Sequence, residues 1–255
     1  MNVLSEIKDF YQAFKGEKGS IGKSYLKRDI YYFKVKKTDY PVFIVQYGIH
    51  AREYITCYLA LKQIADFTNH GKRGTVYFIP SVNPDGISIA LEKYSLFKSN
   101  ANGVDLNLNF DARFGSGKTN RREFNLDNFI GSKPFSEKES KLLRDFTLSV
   151  KPNLTISYHA KGQEIYFDFH QSKKDFLRDL YYAYLVSKCT GYKIVTGLES
   201  SGGYKDWCVE KLKIPAMTIE VGSDKLIHPI KKEKLPQIYL ENIDVINLLT
   251  ESFND

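Results

Sequence analysis

Short apolar runs alternate along the chain with longer stretches in which apolar residues recur at helical spacing. The apolar runs lie at 30–35, 42–46, 75–79, 154–157 and 216–221. The helical periodicities cover 54–67, 136–148, 174–188, 205–212 and 235–249. Ser136 and Glu139 have the spacing of a capping box, which would start the helix of 136–148 at Ser136. Alternating strands and helices predict an α/β protein in which helices cover a sheet.

The N-terminal segment predicts a helix of its own. Residues 1–15 alternate charged and apolar positions, which is typical of an amphipathic helix and not of the unbroken apolar core of a signal peptide. We therefore predict a helix and linker over 1–22 and a core over about 23–255. No apolar run approaches the length of a membrane span. The expected protein is cytoplasmic and has no membrane partner.

Length and composition favour a single domain. A chain of 255 residues that is 42% hydrophobic and 14% aromatic can bury one large core, and we expect a monomer. The three cysteines are far apart in apolar or aromatic sequence and are interpreted as buried thiols. The segment 107–134 is rich in asparagine and lacks periodicity. It is too long for a passive connection, so we predict that it helps to form a site.

The net charge of +7 is compatible with an acidic partner. The basic residues are spread along the chain, apart from short groups such as Lys231, Lys232 and Lys234, and they lack the aromatic interleaving of a single-strand binder. A solvated surface is the simpler interpretation, and steering of an acidic substrate is the alternative. We expect no nucleic-acid partner.

A histidine and a carboxylate three residues apart follow the run at 42–46. His50 and Glu53 have a spacing that can present a ring nitrogen and a carboxylate oxygen to one metal ion. Five histidines and 30 acidic residues in 255 positions give about 0.6 such pairs by chance, so the pair is weak evidence alone. Its place after an apolar strand strengthens it, because open α/β sheets bind ligands at strand ends.

Two further candidates lie at the ends of predicted strands. His159 ends the run at 154–157 and can reach the crevice of His50, although a lone histidine there is more often a structural residue. Glu220 interrupts the apolar run at 216–221, where an unpaired carboxylate costs several kcal/mol. Glu220 therefore faces a cation or a water-filled cleft, or else its strand lies at a sheet edge.

Together His50, Glu53 and His159 offer the three ligands of a catalytic zinc site, and Glu220 offers a base. The chain then resembles the zinc carboxypeptidases in six ordered blocks. These blocks are His50 to Glu53, Asn83 to Gly86, Gly103 to Phe110, Tyr158 with His159, Ser201 to Trp207, and Glu220. The resemblance implies one domain with a mixed, twisted sheet flanked by helices on both faces.

The family resemblance also implies residue roles. His50, Glu53 and His159 would hold one zinc ion, and Glu220 would act as the general base on its water. Lys98 follows an aromatic residue where the family has an oxyanion-stabilising arginine; an exposed loop lysine is the alternative interpretation. Residues expected to contact substrate are Arg52, Asn107, Leu108, Glu164, Tyr204 and Lys205.

The chain departs from the family at two informative positions. Carboxypeptidases that take a free C-terminus have an arginine after the asparagine equivalent to Asn107, and it clamps the terminal carboxylate. Here that residue is Leu108, and the family's mobile tyrosine is replaced by Leu198. Both losses weaken the case for an ordinary exopeptidase.

A different leaving residue is indicated by Lys205, which falls where the family places the floor of the leaving-residue pocket. A cation there favours a distant carboxylate, such as that of meso-diaminopimelate. Glu164 would meet the second amine of that residue, with a surface salt bridge as the alternative. The strings Phe97 to Asn107 and Gly202 to Trp207 are more similar to the bacterial γ-D-glutamyl-diamino acid peptidases, which cut peptidoglycan stem peptides.

The sequence therefore predicts a zinc peptidase that hydrolyses the γ-D-glutamyl to diaminopimelate bond of murein peptides. One alternative is a carboxypeptidase for acidic C-terminal residues, in which Arg113, Arg121 or Arg122 replaces the lost clamp. Another is an inactive peptide-binding module, disfavoured because the ligand positions and Glu220 hold competent residues.

Overall fold

A computed structural model describes residues 2–124, 127–197 and 200–253 and contains one mixed sheet. Its strands within those ranges are β1 (Glu17–Lys23), β2 (Asp29–Lys36), β3 (Val42–Tyr47), β4 (Thr75–Ile79), β5 (Leu154–His159), β6 (Glu164–Tyr166), β7 (Lys193–Val195) and β8 (Ala216–Glu220). They are ordered β1-β2-β4-β3-β5-β8-β6-β7. The central four, β4, β3, β5 and β8, are parallel, and β2 and β6 pair with them in the antiparallel sense.

The sheet separates two apolar cores. Phe43, Val45 and Tyr47 of β3 face one core, whereas Ile44 faces the other. Successive side chains of a strand point to opposite faces, so a strand covered on both sides is mostly apolar. This explains why β3 is a nearly continuous apolar run, and why the buried strand β5 has only small hydroxyl residues, Thr155 and Ser157, between its first apolar ones.

Helices cover both faces of the sheet. The α-helices in the described ranges are α1 (Val3–Ala13), α2 (Ile55–His70), α3 (Pro84–Glu92), α4 (Lys138–Val150), α5 (Lys173–Thr190), α6 (Tyr204–Trp207), α7 (Leu235–Asn242) and α8 (Val245–Glu251). Helices α1, α2, α5, α7 and α8 supply the larger core, and α4 and α6 supply the other. The predicted α/β class and the mixed, helix-flanked sheet are confirmed.

The remaining differences from the sequence prediction are local. Residues 17–22, expected in a linker, belong to the edge strand β1, which pairs with β2. The capping box at Ser136 is wrong: α4 begins at Lys138, its N-cap is Glu137, and no side chain caps it. The periodicity at 235–249 spans two helices, because both α7 and α8 pack apolar residues into the same core.

Three parallel strands carry the candidate residues to one edge of the sheet. β5 lies between β3 and β8, and His159 at the end of β5 is in register with Glu220 at the end of β8. After β3 the chain turns at Gly48, which has φ +61°; a Cβ there would lie 2.5 Å from Cys57 Sγ. Glycine permits this turn, which brings His50 back over the ends of the strands.

Among the residues that the structure describes, no helix is long and apolar enough to cross a membrane.

Candidate metal centre and substrate cavity

Three side chains converge at the ends of β3 and β5. The His50 Nδ1 atom lies 2.9 Å from Glu53 Oε1, and His159 Nδ1 lies 3.1 Å from Glu53 Oε2. The two Nδ1 atoms are 3.2 Å apart. All three residues are buried, and the Ala160 N–H donates to Glu53 Oε2 at 3.2 Å, which fixes the carboxylate.

The spacing of these ligand atoms fits zinc. A tetrahedral zinc ion with bonds of roughly 2.0–2.1 Å holds its ligand atoms about 3.3 Å apart. The separations of 2.9, 3.1 and 3.2 Å are close to that value. Two imidazoles and one carboxylate are also a donor set that zinc favours in catalytic sites. The residues present therefore fit one zinc ion.

Asp105 orients His50 from the other side of its ring. Its Oδ1 atom lies 3.0 Å from His50 Nε2 and also accepts the Asn107 N–H at 3.0 Å. A carboxylate at this nitrogen keeps the proton on Nε2, so that Nδ1 is free for a metal. His159 Nε2 is buried and has no such partner within the described ranges. Asp105 is not among the residues that the sequence singles out, although it lies in the Gly103 to Phe110 block.

The carboxylates control the charge on His50. Burial lowers its pKa, but Glu53 and Asp105 outweigh this effect and raise the pKa to about 9. Burial also opposes ionisation of Glu53, whereas His50 and His159 bring the pKa of that carboxyl well below its usual range. In the metal-free protein His50 is thus a cation at neutral pH, and a metal must displace its proton.

Lys98 is held beside the centre. Its Nζ atom lies 2.7 Å from Asp105 Oδ2 and donates to Asn128 Oδ1 at 3.0 Å. Only 16% of the side chain is exposed, so the interpretation as an exposed loop lysine is wrong. Burial lowers the pKa of Lys98, but Asp105 outweighs this and keeps the pKa above its usual value. The cation is therefore permanently charged at neutral pH.

Glu220 faces the same centre from the neighbouring strand. β8 lies between β5 and β6, so the alternative that Glu220 occupies an edge strand is wrong. Burial and the charge of Glu53 raise the pKa of Glu220 well above its usual range. A carboxyl group whose pKa is raised is a stronger base once ionised, which suits a residue that accepts a proton from water.

A cavity of about 220 Å³ opens between these groups. Its walls include His50, Lys98, Asn107, Leu108, His159, Lys205 and Glu220. No arginine is among the lining residues in the part of the chain that the structure describes. Asn107 Oδ1 accepts the Tyr204 N–H at 3.1 Å, which fixes the wall next to Leu108.

Lys205 lies in the cavity wall but is already paired. Its ammonium lies 2.7 Å from Asp206 Oδ1 and donates to the Asp168 carbonyl at 2.7 Å. The residue is only 4% exposed. An ammonium has three hydrogens, so these contacts leave one for a ligand.

Two expected substrate contacts are not brought to the cavity. Tyr204 is fully buried, and its hydroxyl bonds Thr147 Oγ1 at 2.8 Å within the core, so its assignment is wrong. Arg52 is not among the residues that line the cavity; its Nη1 lies 3.4 Å from the Leu96 carbonyl and 3.6 Å from Asp127 Oδ2. Residues next to a motif need not share its direction, because backbone geometry decides where each side chain points.

Glu164 occupies a position beside the cavity. It pairs in register with Glu220 across β6 and β8, and its Oε2 accepts the Tyr166 hydroxyl at 2.5 Å. Tyr166 in turn lines the cavity. The alternative of a surface salt bridge is not seen for Glu164 among the residues described here.

The proposed replacements for the arginine clamp do not line the cavity either. Arg113 donates to Glu210 Oε1 at 3.0 Å, and Arg121 and Arg122 are absent from the cavity walls within the described ranges. Leu198, which replaces the family's mobile tyrosine, lies outside the described residues.

Comparisons with known proteins agree with this geometry. The model of the zinc carboxypeptidase family matches residues 8–244. Gamma-D-glutamyl-L-diamino acid endopeptidase 1 of Lysinibacillus sphaericus is 24% identical over 95% of this chain and 69% of its own length. Murein peptide amidase A of Escherichia coli is 29% identical, over 62% of this chain and 60% of its length. The structure of bovine thrombin-activatable fibrinolysis inhibitor superposes with a TM-score of 0.82 at 22% identity, covering 98% of this chain and 93% of that one.

Proposed function

Because the chain belongs to the zinc carboxypeptidase family and is a zinc metallopeptidase, we propose that it hydrolyses the bond between γ-D-glutamate and meso-diaminopimelate in peptidoglycan stem peptides. The two relatives named for murein or γ-glutamyl substrates support this choice. The observation that most supports this proposal is that the cavity wall contains Leu108 where the family has an arginine.

Leu108 removes the group that would recognise a free C-terminus. The residue is buried and lines the cavity at the position of the family's clamping arginine. A leucine side chain offers no hydrogen bond to a carboxylate, whereas a guanidinium offers two parallel ones. With no arginine in the described walls, an ordinary α-linked C-terminus has no bidentate partner in the cavity.

The remaining polar groups suit a leaving residue with a charged side-chain end. Lys205 keeps one ammonium hydrogen for the distant carboxylate of diaminopimelate. Glu164 and the Tyr166 hydroxyl that it holds lie on the side of Glu220, where they would meet the second amine. A leaving residue with a carboxylate and an amine at the far end of its side chain could pair with Lys205 and Glu164 at the same time.

The catalytic roles follow from the geometry of the centre. His50, Glu53 and His159 would hold the zinc ion, which when bound lowers the pKa of a coordinated water and polarises the scissile carbonyl. Glu220 takes the proton of the attacking water and later delivers it to the leaving amine. Lys98, held by Asp105, directs positive charge toward the oxygen that becomes negative in the transition state.

A second candidate is removal of acidic C-terminal residues from α-linked peptides. It is favoured by the two ammonium groups, Lys98 and Lys205, that line one small cavity. In this alternative Lys205 binds the acidic side chain and Lys98 the terminal carboxylate. Lys98 would then be unable to stabilise the oxyanion, which is why the first candidate is preferred.

The two candidates are separated by offering both substrates to the zinc-loaded protein. L-Ala-γ-D-Glu-meso-diaminopimelate and an α-linked tripeptide ending in glutamate are mixed at equal concentration, and products are followed by mass spectrometry. The proposal requires faster release of diaminopimelate than of glutamate. An intact murein tripeptide alongside a trimmed α-linked peptide would establish the second candidate instead.

A further inference from the structure

A second and larger cleft lies next to the metal centre. It has a volume of about 740 Å³ and shares no lining residue with the catalytic cavity of about 220 Å³. Ligand sites usually measure roughly 300–1,000 Å³, so the catalytic cavity alone is small for a peptide whereas the second cleft is not. Its floor includes Tyr54, Tyr58 and Leu91.

The walls of the second cleft are formed by residues that lie next to catalytic residues along the chain. Tyr54 directly follows the metal ligand Glu53. The opposite wall is the loop of residues 225–232, which begins a few residues after Glu220. Gly162 donates its N–H to the Gly222 carbonyl at 2.8 Å, and Lys161 donates to the Asp224 carbonyl at 2.5 Å. The loop is thereby fastened to the chain that follows the ligand His159.

The wall of the second cleft carries unpaired positive charge. No ion pair joins Lys225, Lys231 or Lys234 to a carboxylate within the described residues. Lys232 pairs with Glu6 at 2.6 Å and lies 4.2 Å from the centre of the Tyr58 ring. The lysine group noted in the sequence is exposed, as expected of a solvated surface, and it also lines this cleft.

The same wall offers a buried hydrogen-bonding atom. His228 Nδ1 is buried and has no hydrogen-bond partner in the part of the chain described. Burial lowers the pKa of His228, and the charge of Glu53 opposes that effect, so the ring lies within electrostatic reach of the metal centre. At the rim, Ile227 is 83% exposed beside the lysines. An aromatic floor and a wall of exposed lysines suit an amphipathic anion.

We propose that this cleft binds the acyl portion of the substrate, on the opposite side of the scissile bond from the Lys205 cavity, and selects an acyl chain that carries carboxylates. The inference rests on the proposed function, which assigns the leaving residue to the cavity of Lys205. A γ-linked glutamate keeps its own α-carboxylate on the acyl side, so even the shortest murein substrate presents one anion here. The volume of the cleft accommodates further residues or an attached sugar.

The kinetic test varies only the acyl chain. Acetylated substrates that share one leaving residue are extended on the acyl side by Glu-Glu or by Gln-Gln. For each substrate kcat/KM is measured at about 50 and about 200 mM salt, because exposed charges become screened over roughly this range. The parent protein should prefer the acidic extension about fivefold at low salt, through KM, because a few exposed ion pairs give an effect of this order. Lys231→Gln combined with Lys234→Gln should abolish the preference. Lys173→Gln combined with Lys174→Gln, which neutralises two exposed lysines on α5, should retain it.

A binding measurement separates this inference from the proposed function. Zinc-loaded Glu220→Gln is titrated with fluorescein-labelled acetyl-tetraglutamate and, separately, with its tetraglutamine counterpart. This binding measurement does not depend on hydrolysis. Tighter binding of the acidic probe that is lost with Lys231 and Lys234 supports the cleft, even if no murein peptide is cleaved. Equal binding of both probes, or an acidic preference that survives the double lysine substitution, overturns it while leaving murein cleavage untouched.

Discussion

The Asp105 carboxylate lies 3.0 Å from His50 Nε2, while the other nitrogen of the same ring faces Glu53 and His159. Asp105 is also 2.7 Å from the Lys98 ammonium. One buried carboxylate thus orients a proposed metal ligand and holds the cation proposed to stabilise the oxyanion. Burial alone would raise the pKa of Asp105, but Lys98 and His50 lower it, so the group stays ionised at neutral pH.

Replacing Asp105 by asparagine should weaken zinc binding. The amide cannot match the charge of the carboxylate, and loss of such an orienting partner typically costs about 10–100-fold in metal affinity. Competition with a chromophoric chelator measures the dissociation constant directly. Asp111→Asn, an exposed substitution in the same loop region, is the matched control and should bind zinc like the parent. Equal affinity in Asp105→Asn would refute the orienting role.

Removing the metal should lower the thermal stability. Without zinc, three buried polar side chains lose their shared ligand. Free zinc at 100 times its dissociation constant contributes about 2.7 kcal/mol of stability. In a domain of this size that corresponds to roughly 5–10 °C in the unfolding midpoint. Calorimetry with EDTA and with added zinc measures this shift in the unfolding midpoint. The shift should be much smaller in Glu53→Gln. Identical midpoints with and without metal would show that the cluster binds no zinc.

Glu139 should make stability fall as pH rises. The residue is fully buried, accepts the Tyr25 N–H at 2.9 Å, and has its pKa raised by burial. A carboxyl whose folded pKa exceeds its unfolded pKa stabilises the protein at low pH, and this contribution is lost as pH rises through the folded value. Glu139→Gln removes the titration.

The free energy of unfolding of Glu139→Gln minus that of the parent should therefore increase from about pH 4.5 to about pH 7.5. The lower pH is close to an ordinary glutamate pKa, and the higher one is well above it. Urea denaturation of the zinc-saturated proteins gives both values. Glu233→Gln, at an exposed position, should show no such trend. A difference that stays constant or decreases with pH would contradict the account.

Leu108→Arg should shift the substrate preference toward free C-termini. The new guanidinium would enter the cavity wall and offer two hydrogen bonds to an α-carboxylate. We expect the ratio of kcat/KM for an α-linked peptide with a free C-terminus to that for the murein tetrapeptide, in which D-alanine blocks the α-carboxyl of diaminopimelate, to rise about tenfold or more, in line with a charged hydrogen bond gained. Leu108→Met conserves the apolar wall and should leave the ratio unchanged. A folded, zinc-loaded arginine variant with the parent's ratio would remove Leu108 as a specificity determinant.

Much of the fold could be predicted because buried parallel strands leave a strong signal. β3, β4, β5 and β8 are almost entirely buried and carry apolar residues at half or more of their positions, and each was located to within two residues of its end. The edge strand β1 was missed because Glu17–Lys23 is polar and half exposed, and its pairing with β2 depends on tertiary context. β6 and β7, with three residues each, are too short to show a period.

For the site, some residues could be predicted from the sequence and others could not. His50, Glu53, His159 and Glu220 were found because chemically competent residues follow apolar strands. Asp105 was missed because its partner lies 55 positions away, and only the folded chain shows the contact. Tyr204 was misplaced because the motif gives its position in the chain but not the direction of its side chain, which enters the core.

Whether zinc and Glu220 together cut the γ-D-glutamyl bond is tested most directly by the turnover of L-Ala-γ-D-Glu-meso-diaminopimelate. The parent and Glu220→Gln are compared at equal, measured zinc content. The account predicts one zinc per chain in both proteins and a loss of about 10²–10⁴-fold in kcat for the variant, the range expected when a general base is removed. A Glu220→Gln protein that keeps its zinc and hydrolyses the tripeptide as fast as the parent would contradict it.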